Sequence, residues 1–296
     1  MATHPGIHMR AWLSLIRETF KEYFADEAPR LGAALAFYTI FSLPALLILV
    51  IAVAGLAFGV DAAQGQIVNE VQAFIGEESA KTLQTVIESA RRPEAGIVAT
   101  IVGLVTLLLG ATGVFGELED ALNIVWNVPK KEGFSVLALV KSRFLSFTLI
   151  LGTGFLLLVS LVVSAGIAAL GKYSSQLFPD TELLLQIAST LISLAVITVL
   201  FAMIYKILPK VKVAWKDVWI GAFLATLLFT LGKSLIALYI GKSGVASTYG
   251  AAGSLVVILI WVYFSAQVFL LGAEFTQVYS RHHGSRKDNP AKPASA

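Results

Sequence analysis

Residues 32–59 read GAALAFYTIFSLPALLILVIAVAGLAFG, an apolar run without a single charged side chain. At 1.5 Å per residue it would reach about 42 Å as a helix, more than the ~30 Å hydrocarbon layer of a bilayer. A helix apolar on every side offers no face to water, so the segment reads as a membrane span. Pro44 lies midway along it. Its missing N–H predicts a kink there, with the hydroxyls of Thr39 or Ser42 available to the freed carbonyls. Five further runs follow: Gly96–Phe115, Phe144–Leu170, Leu183–Ile207, Val218–Ile240 and Ala251–Tyr279. The expected fold class is all-α: a polytopic membrane protein of six transmembrane helices.

Composition agrees. Apolar residues make up 57% of the 296 and charged residues 14%, with a mean hydropathy of +0.79; soluble domains carry roughly 25% charged residues. The spans are evenly distributed, so residues 32–280 read as one transmembrane domain. Residues 1–31 form a polar or amphipathic N-terminal segment, and the first apolar run is too long for a signal-peptide core. Residues 281–296 have low hydrophobicity and are expected to form a disordered tail. The absence of cysteine excludes a disulfide framework, a thiolate metal site and a cysteine nucleophile.

Lysine and arginine set the expected orientation. Sixteen lie in the N-terminal segment, the second and fourth loops and the tail, among them Arg10, Arg17, Arg30, Lys130, Lys210, Lys216 and Arg281. Five lie on the other side (Lys81, Arg91, Arg92, Lys172, Lys242), and Lys233 lies within the fifth span. Both termini are therefore expected in the cytoplasm. The net charge of +3 follows from this asymmetry, so no nucleic-acid partner is needed to explain it.

Three segments outside the spans have helical apolar periodicity. Trp12, Leu13, Ile16, Phe20, Tyr23 and Phe24, interleaved with Arg10, Arg17, Lys21 and Glu22, suit an interfacial helix in the headgroup layer; packing on cytoplasmic loops is the alternative. Two stripes, Ile67–Ile75 and Leu83–Ala90, flank Gly76 and predict an outer (periplasmic) helical hairpin over residues 60–95. The hairpin is either a connector or a docking site for a partner.

Ionisable groups at membrane depth are costly and mark candidate sites. Lys233 shares a helical face with Thr226 and Thr230 in span five; it either snorkels to the headgroups or faces inward. Glu274 lies near the end of span six on a face with Tyr263 and Gln267, where pairing with a cytoplasmic-side lysine or arginine is expected. Thr153, Ser160 and Ser164 form a stripe on span three, and Gln186, Ser189 and Ser193 a shorter one on span four. These are ordinary helix-packing residues that would also line a mildly polar groove. Past span two, Leu118, Ala121, Leu122, Val125 and Trp126 continue an apolar face, which places Glu117 and Asn123 at the polar starts of other spans.

Enzyme chemistry is sparse. All four histidines, His4, His8, His282 and His283, lie near the chain ends, and no cluster has metal-ligand spacing. There is no P-loop. No metal, cofactor or catalytic residue is assigned, and the protein is read as a non-enzyme.

Three stretches resemble the signatures of the YihY/BrkB membrane proteins of bacteria: RLGAALAFYTIFSLP from Arg30 to Pro44, ELEDALNIVW from Glu117 to Trp126, and YGAAGS from Tyr249 with LIWVY from Leu259 and LGAE ending at Glu274. The resemblance runs through roughly residues 10 to 280. It implies an inner-membrane protein of six spans. The family has carried the name ribonuclease BN and has been linked to virulence, serum resistance and the movement of envelope lipid or lipopolysaccharide.

The first functional expectation is a transporter or flippase-like protein for a lipid or another amphipathic envelope molecule. Lys233, Thr226, Thr230, Thr153, Ser160, Ser164, Ser189 and Ser193 would line its path, and Arg30, Glu117, Asn123, Glu274 and Gln267 would form a cytoplasmic-side polar cluster. Membrane lipids are the expected partners, with envelope lipid-transfer proteins at the outer loop. Glycine-rich faces would allow a homo-oligomer. The alternatives are a partner-docking scaffold and a small-solute channel or exporter; a ribonuclease ranks last.

Overall fold

The structure is a computed structural model that describes residues 5–61, 113–129, 181–243 and 253–287, with isolated positions between 64 and 84. Helix α1 spans Pro5–Ala25 and α2 spans Ala28–Phe58. Helix α3 covers 113–125, followed by α4 at Thr181–Ile207, α5 at Trp215–Ser243 and α6 at Gly253–His282. Within α4, α5 and α6, Thr190–Ile207, Trp215–Ile236 and Leu255–His282 are long and apolar enough to cross a membrane. The chain is thus a membrane-embedded, all-helical protein. Helices α2, α5 and α6 overrun the hydropathic limits of their spans because helix geometry continues into polar flanks where hydrophobicity has ended. Helix α2 runs through Pro44. The outer hairpin, most of span two and span three, with Thr153, Ser160 and Ser164, fall outside the described residues.

Helix α6 is the central element, packing on α5, α2 and α1, while α4 packs on α5. Two clusters fix how α2 and α6 run. Leu31 and Leu35 share a core with Ala266, Phe269, Leu270 and Ala273, whereas Leu47 and Ile51, further along α2, meet Ile258, nearer the start of α6. The two helices are therefore antiparallel. The larger cluster also takes in Ala121, Leu122, Val125 and Trp126 from the end of α3, Ala202 and Tyr205 from the end of α4, and Val218, Ala222 and Ala225 from the start of α5. Those segments all meet at one end of the bundle, as an up-and-down order of spans requires.

Close approach is made possible by glycine. A Cβ on Gly272 would lie 2.5 Å from Ala225 Cβ and 2.6 Å from the Tyr205 hydroxyl. That hydroxyl donates to the Phe269 carbonyl at 2.6 Å, joining α4 to α6 in the core. On the outer side of α5, Trp215, Trp219, Phe223, Leu227, Leu231 and Leu235 are exposed at four-residue spacing. In hydrocarbon such a row needs no protein partner, and its tryptophans sit at the end where an aromatic belt belongs.

The tail departs from its expected disorder. Helix α6 continues to His282, and residues 283–287 turn back on the bundle. Ser285 donates from its N–H and its hydroxyl to Asp217 Oδ2 at 2.8 and 2.7 Å, and the Arg286 guanidinium lies over the Trp126 ring. Asp217 is a buried carboxyl in the first turn of α5. A buried carboxyl requires donors, and this polar segment supplies them. Residues 288–296 fall outside the described residues.

Candidate functional site

The site begins at the break between α1 and α2. Glu27 takes a left-handed conformation, with φ 53° and ψ 38°. This lets the chain leave α1, whose last turn is closed by Asp26 N–H on the Glu22 carbonyl at 2.8 Å, and enter α2 at once. The sharp turn folds α1 onto α6. Leu15 and Thr19 are buried in α1, Trp12 stacks on Phe275, and Tyr23 donates its hydroxyl to Gln267 Oε1. Arg281 reaches back to Glu18 at 3.3 Å and Glu22 at 3.1 Å, while His282 meets Glu18 at 2.7 Å. Trp12, Leu13, Ile16, Phe20 and Phe24 stay exposed. Among the described residues the N-terminal helix therefore rests on α6 and keeps an apolar side free.

Beneath that contact lies Glu274. It is fully buried, and neither carboxylate oxygen has a hydrogen-bond donor. Arg281, the cation whose charge reaches it, makes its ion pairs with Glu18 and Glu22 of α1. Its neighbour is Asp26, whose Oδ2 is also buried without a donor. Burial first, and then the charge of Glu22, push Asp26 up to about 6; Glu274 and the charge of Arg281 act the other way. Burial, then Tyr263 and Glu274, push the Tyr23 phenol up to about 12, so it remains a donor.

The other members of the expected cytoplasmic-side cluster lie around the same end of the bundle but hold separate contacts. Arg30 is exposed and paired with Glu27. Glu117 is half-buried; burial and then Asp120 raise its carboxyl, and Arg30 opposes them. Asn123 Oδ1 accepts from Lys210 N–H at 2.8 Å, and Lys210 Nζ meets the buried Glu119 at 2.6 Å. This ties the end of α3 to the loop between α4 and α5. Of the sequence-derived candidates, Gln267 meets Tyr23 and Pro29 where α1 gives way to α2, Glu274 lies buried nearby, and Asp26 itself was not among them. It sits in the break between two helical patterns, where a carboxylate reads as solvated; Pro29 in the first turn of α2 was the available sign of a sharp turn there.

Along the expected path, Thr226 is buried and donates to the Ala222 carbonyl at 2.8 Å, while Thr198 donates to Thr226 Oγ1 at 3.0 Å across α4 and α5. Thr230 donates to the Thr226 carbonyl at 2.8 Å. Lys233 is half-buried and Ser193 exposed, and the Ser189 side chain falls outside the described residues. The threonines here serve helix contact. Among the described residues no group of three or more His, Cys, Asp or Glu could hold a metal ion.

Apolar helices around a polar end, with a carboxyl sealed inside a span, define a polytopic α-helical membrane protein. Residues 19–296 match the family described as virulence factor BrkB, and the chain belongs to that family. It is 25% identical over 283 residues to YfkH of Bacillus subtilis strain 168, named as ribonuclease-like, covering 94% of this chain and 99% of that one. It is 31% identical over 190 residues to the UPF0761 membrane protein YihY of Shigella boydii serotype 4, covering 62% and 60% respectively. To a UPF0761 membrane protein of Azotobacter vinelandii it is 28% identical over 273 residues, covering 88% and 62%. The chain thus spans about three fifths of the length of these two UPF0761 relatives. No solved structure matches.

Proposed function

We propose that the protein moves a lipid or lipid-like amphipathic molecule across the bacterial inner membrane, as a transporter or flippase-like protein. The observation that carries this reading is Glu274. A fully buried carboxyl without a donor, inside a membrane span, is expensive to maintain and is ordinarily kept for transport or ion chemistry. The interfacial helix above it, with its exposed Trp12, Phe20 and Phe24, suits a protein that works on the headgroup layer. The excess of lysine and arginine at this end supports a cytoplasmic side for it and for both termini. Lys233, half-buried in α5, is positioned toward the opposite end, where an anionic headgroup would arrive.

Reconstitution into vesicles carrying a headgroup-labelled anionic phospholipid tests this. A membrane-impermeant quencher should reach both leaflets in vesicles with protein and only the outer leaflet in empty ones. Folded protein that leaves the inner leaflet protected would overturn the reading. Lys233→Ala is expected to slow translocation without lowering the amount of folded protein, and an unchanged rate would remove Lys233 from the path.

A further inference from the structure

We propose that the start of α5 holds an anionic phospholipid of the adjoining leaflet. Lys212 and Lys216 take its phosphodiester, and Trp219, Phe223 and Leu227 lie along an acyl chain. The two faces of α5 differ sharply. Asp217, Val218, Gly221, Ala222 and Ala225 are buried, and helical periodicity puts them on one side. Lys216 falls on the opposite side, one turn before Ile220 and two before Phe223, both exposed. This lysine therefore heads the lipid-facing row. The row descends from Trp219 to Leu227 by about 12 Å, against ~15 Å for the hydrocarbon half of a bilayer.

Charge at this corner is one-sided. Residues 206–220 carry Lys206, Lys210, Lys212, Lys216 and a single acid, Asp217. Asp217 is buried on the inner face, where Ser285 donates to it twice, so its charge is kept from the lipid. Lys210 is taken by Glu119 at 2.6 Å. Lys206 donates to the Val213 carbonyl and lies 5.6 Å from the Trp215 ring centroid. Arg286, on the returning tail, lies over Trp126. Lys212 and Lys216, on either side of Trp215 in sequence, stand exposed, and the rings of Trp215 and Trp219 pair at 6.4 Å. Indole rings settle at the interface of a bilayer, beside the headgroups. Two ammonium groups at that end of the row attract a net-negative phosphodiester, whereas the cation of a zwitterionic headgroup cancels the attraction. The apolar row alone would accept any lipid; the lysines make it selective.

The site stands independently of the transport reading: a lipid held here need not cross the membrane, and failure of translocation would leave it intact. The chain contains no cysteine, so Ile220→Cys accepts a fluorophore beside the site, and Leu191→Cys, exposed on α4, serves as control. Each labelled full-length protein is placed in phosphatidylcholine vesicles with increasing chain-brominated phosphatidylglycerol or chain-brominated phosphatidylcholine, since bromine quenches on contact. At position 220 the anionic lipid should quench at a lower mole fraction than the zwitterionic one, by about fivefold per lysine. At position 191 the two should quench alike. Lys212→Gln with Lys216→Gln should erase the preference at 220 and leave zwitterionic quenching as it was, whereas arginine at both positions should keep it. If the double glutamine variant does not fold, raising ionic strength on the parent should shrink the preference, and one that ignores salt would overturn the proposal. Equal quenching at 220, or a preference that survives in the folded glutamine variant, would also overturn it. The same preference at 191 would mean enrichment around the whole protein and no site. Quenching by neither lipid at 220 would assign the row to a second copy of the chain and sink the lipid.

Discussion

At Gly272 the absence of a side chain lets α6 approach both Ala225 and Tyr205. Gly272→Val would force α6 off two neighbours at once, an overpacking cost of about 1–3 kcal/mol. The expected outcome is a lower Tm in detergent and loss of the Tyr205–Phe269 bond. Asp26 makes a prediction with a sign. Its carboxyl titrates near 3.8 when unfolded and is pushed up to about 6 when folded, so the folded state binds the extra proton between those values. Its contribution favours the fold below about pH 4 and is lost as pH rises to about 6. Asp26→Asn should flatten that part of a Tm–pH curve, and an unchanged slope would show that Asp26 does not titrate there. Neither residue draws attention in the sequence: one is a glycine among twenty-four, the other an acid at a helix break.

The elements were more legible than their contacts. Helix α3 ends in a left-handed Asn127, φ 52°, with Val128 N–H on the Asn123 carbonyl and Asn127 N–H on the Ile124 carbonyl, the hydrogen-bond pattern of a Schellman motif. Its apolar face, Ala121, Leu122, Val125 and Trp126, was visible as periodicity and is buried. The amphipathic spacing of α1 was equally plain, but not that Leu15 and Thr19 would dock while Phe20 and Phe24 stayed out. Spacing locates a face; it does not say whether lipid or protein covers it. The order of residues 281–287 is not legible in the sequence, because a short polar segment carries no periodicity. Asp217→Ala would remove both Ser285 bonds, so residues 283–287 should become more sensitive to limited proteolysis. The stability cost should be about 1 kcal/mol, measurable beside the parent protein. Equal cleavage rates would mean that the tail is held by Arg286 on Trp126 instead.

For the whole molecule, the decisive prediction is sidedness. The ends of α3, α4 and α6 and the starts of α2 and α5 share one core, so tags on the two termini should be modified from the same side of the membrane, the cytoplasmic one. Modification from opposite sides would contradict the arrangement of the spans. That the chain is an all-helical membrane protein could be read from residue order alone, because transfer of an apolar helix into hydrocarbon is additive along the chain and nearly independent of what lies beside it. The burial of the Asp26 and Glu274 carboxyls could not. It depends on a left-handed turn at Glu27, on glycine-sized gaps that set helix spacing, and on the pairing of Arg281 with Glu18 and Glu22. Those are contacts between residues remote in sequence, and only the folded bundle decides them.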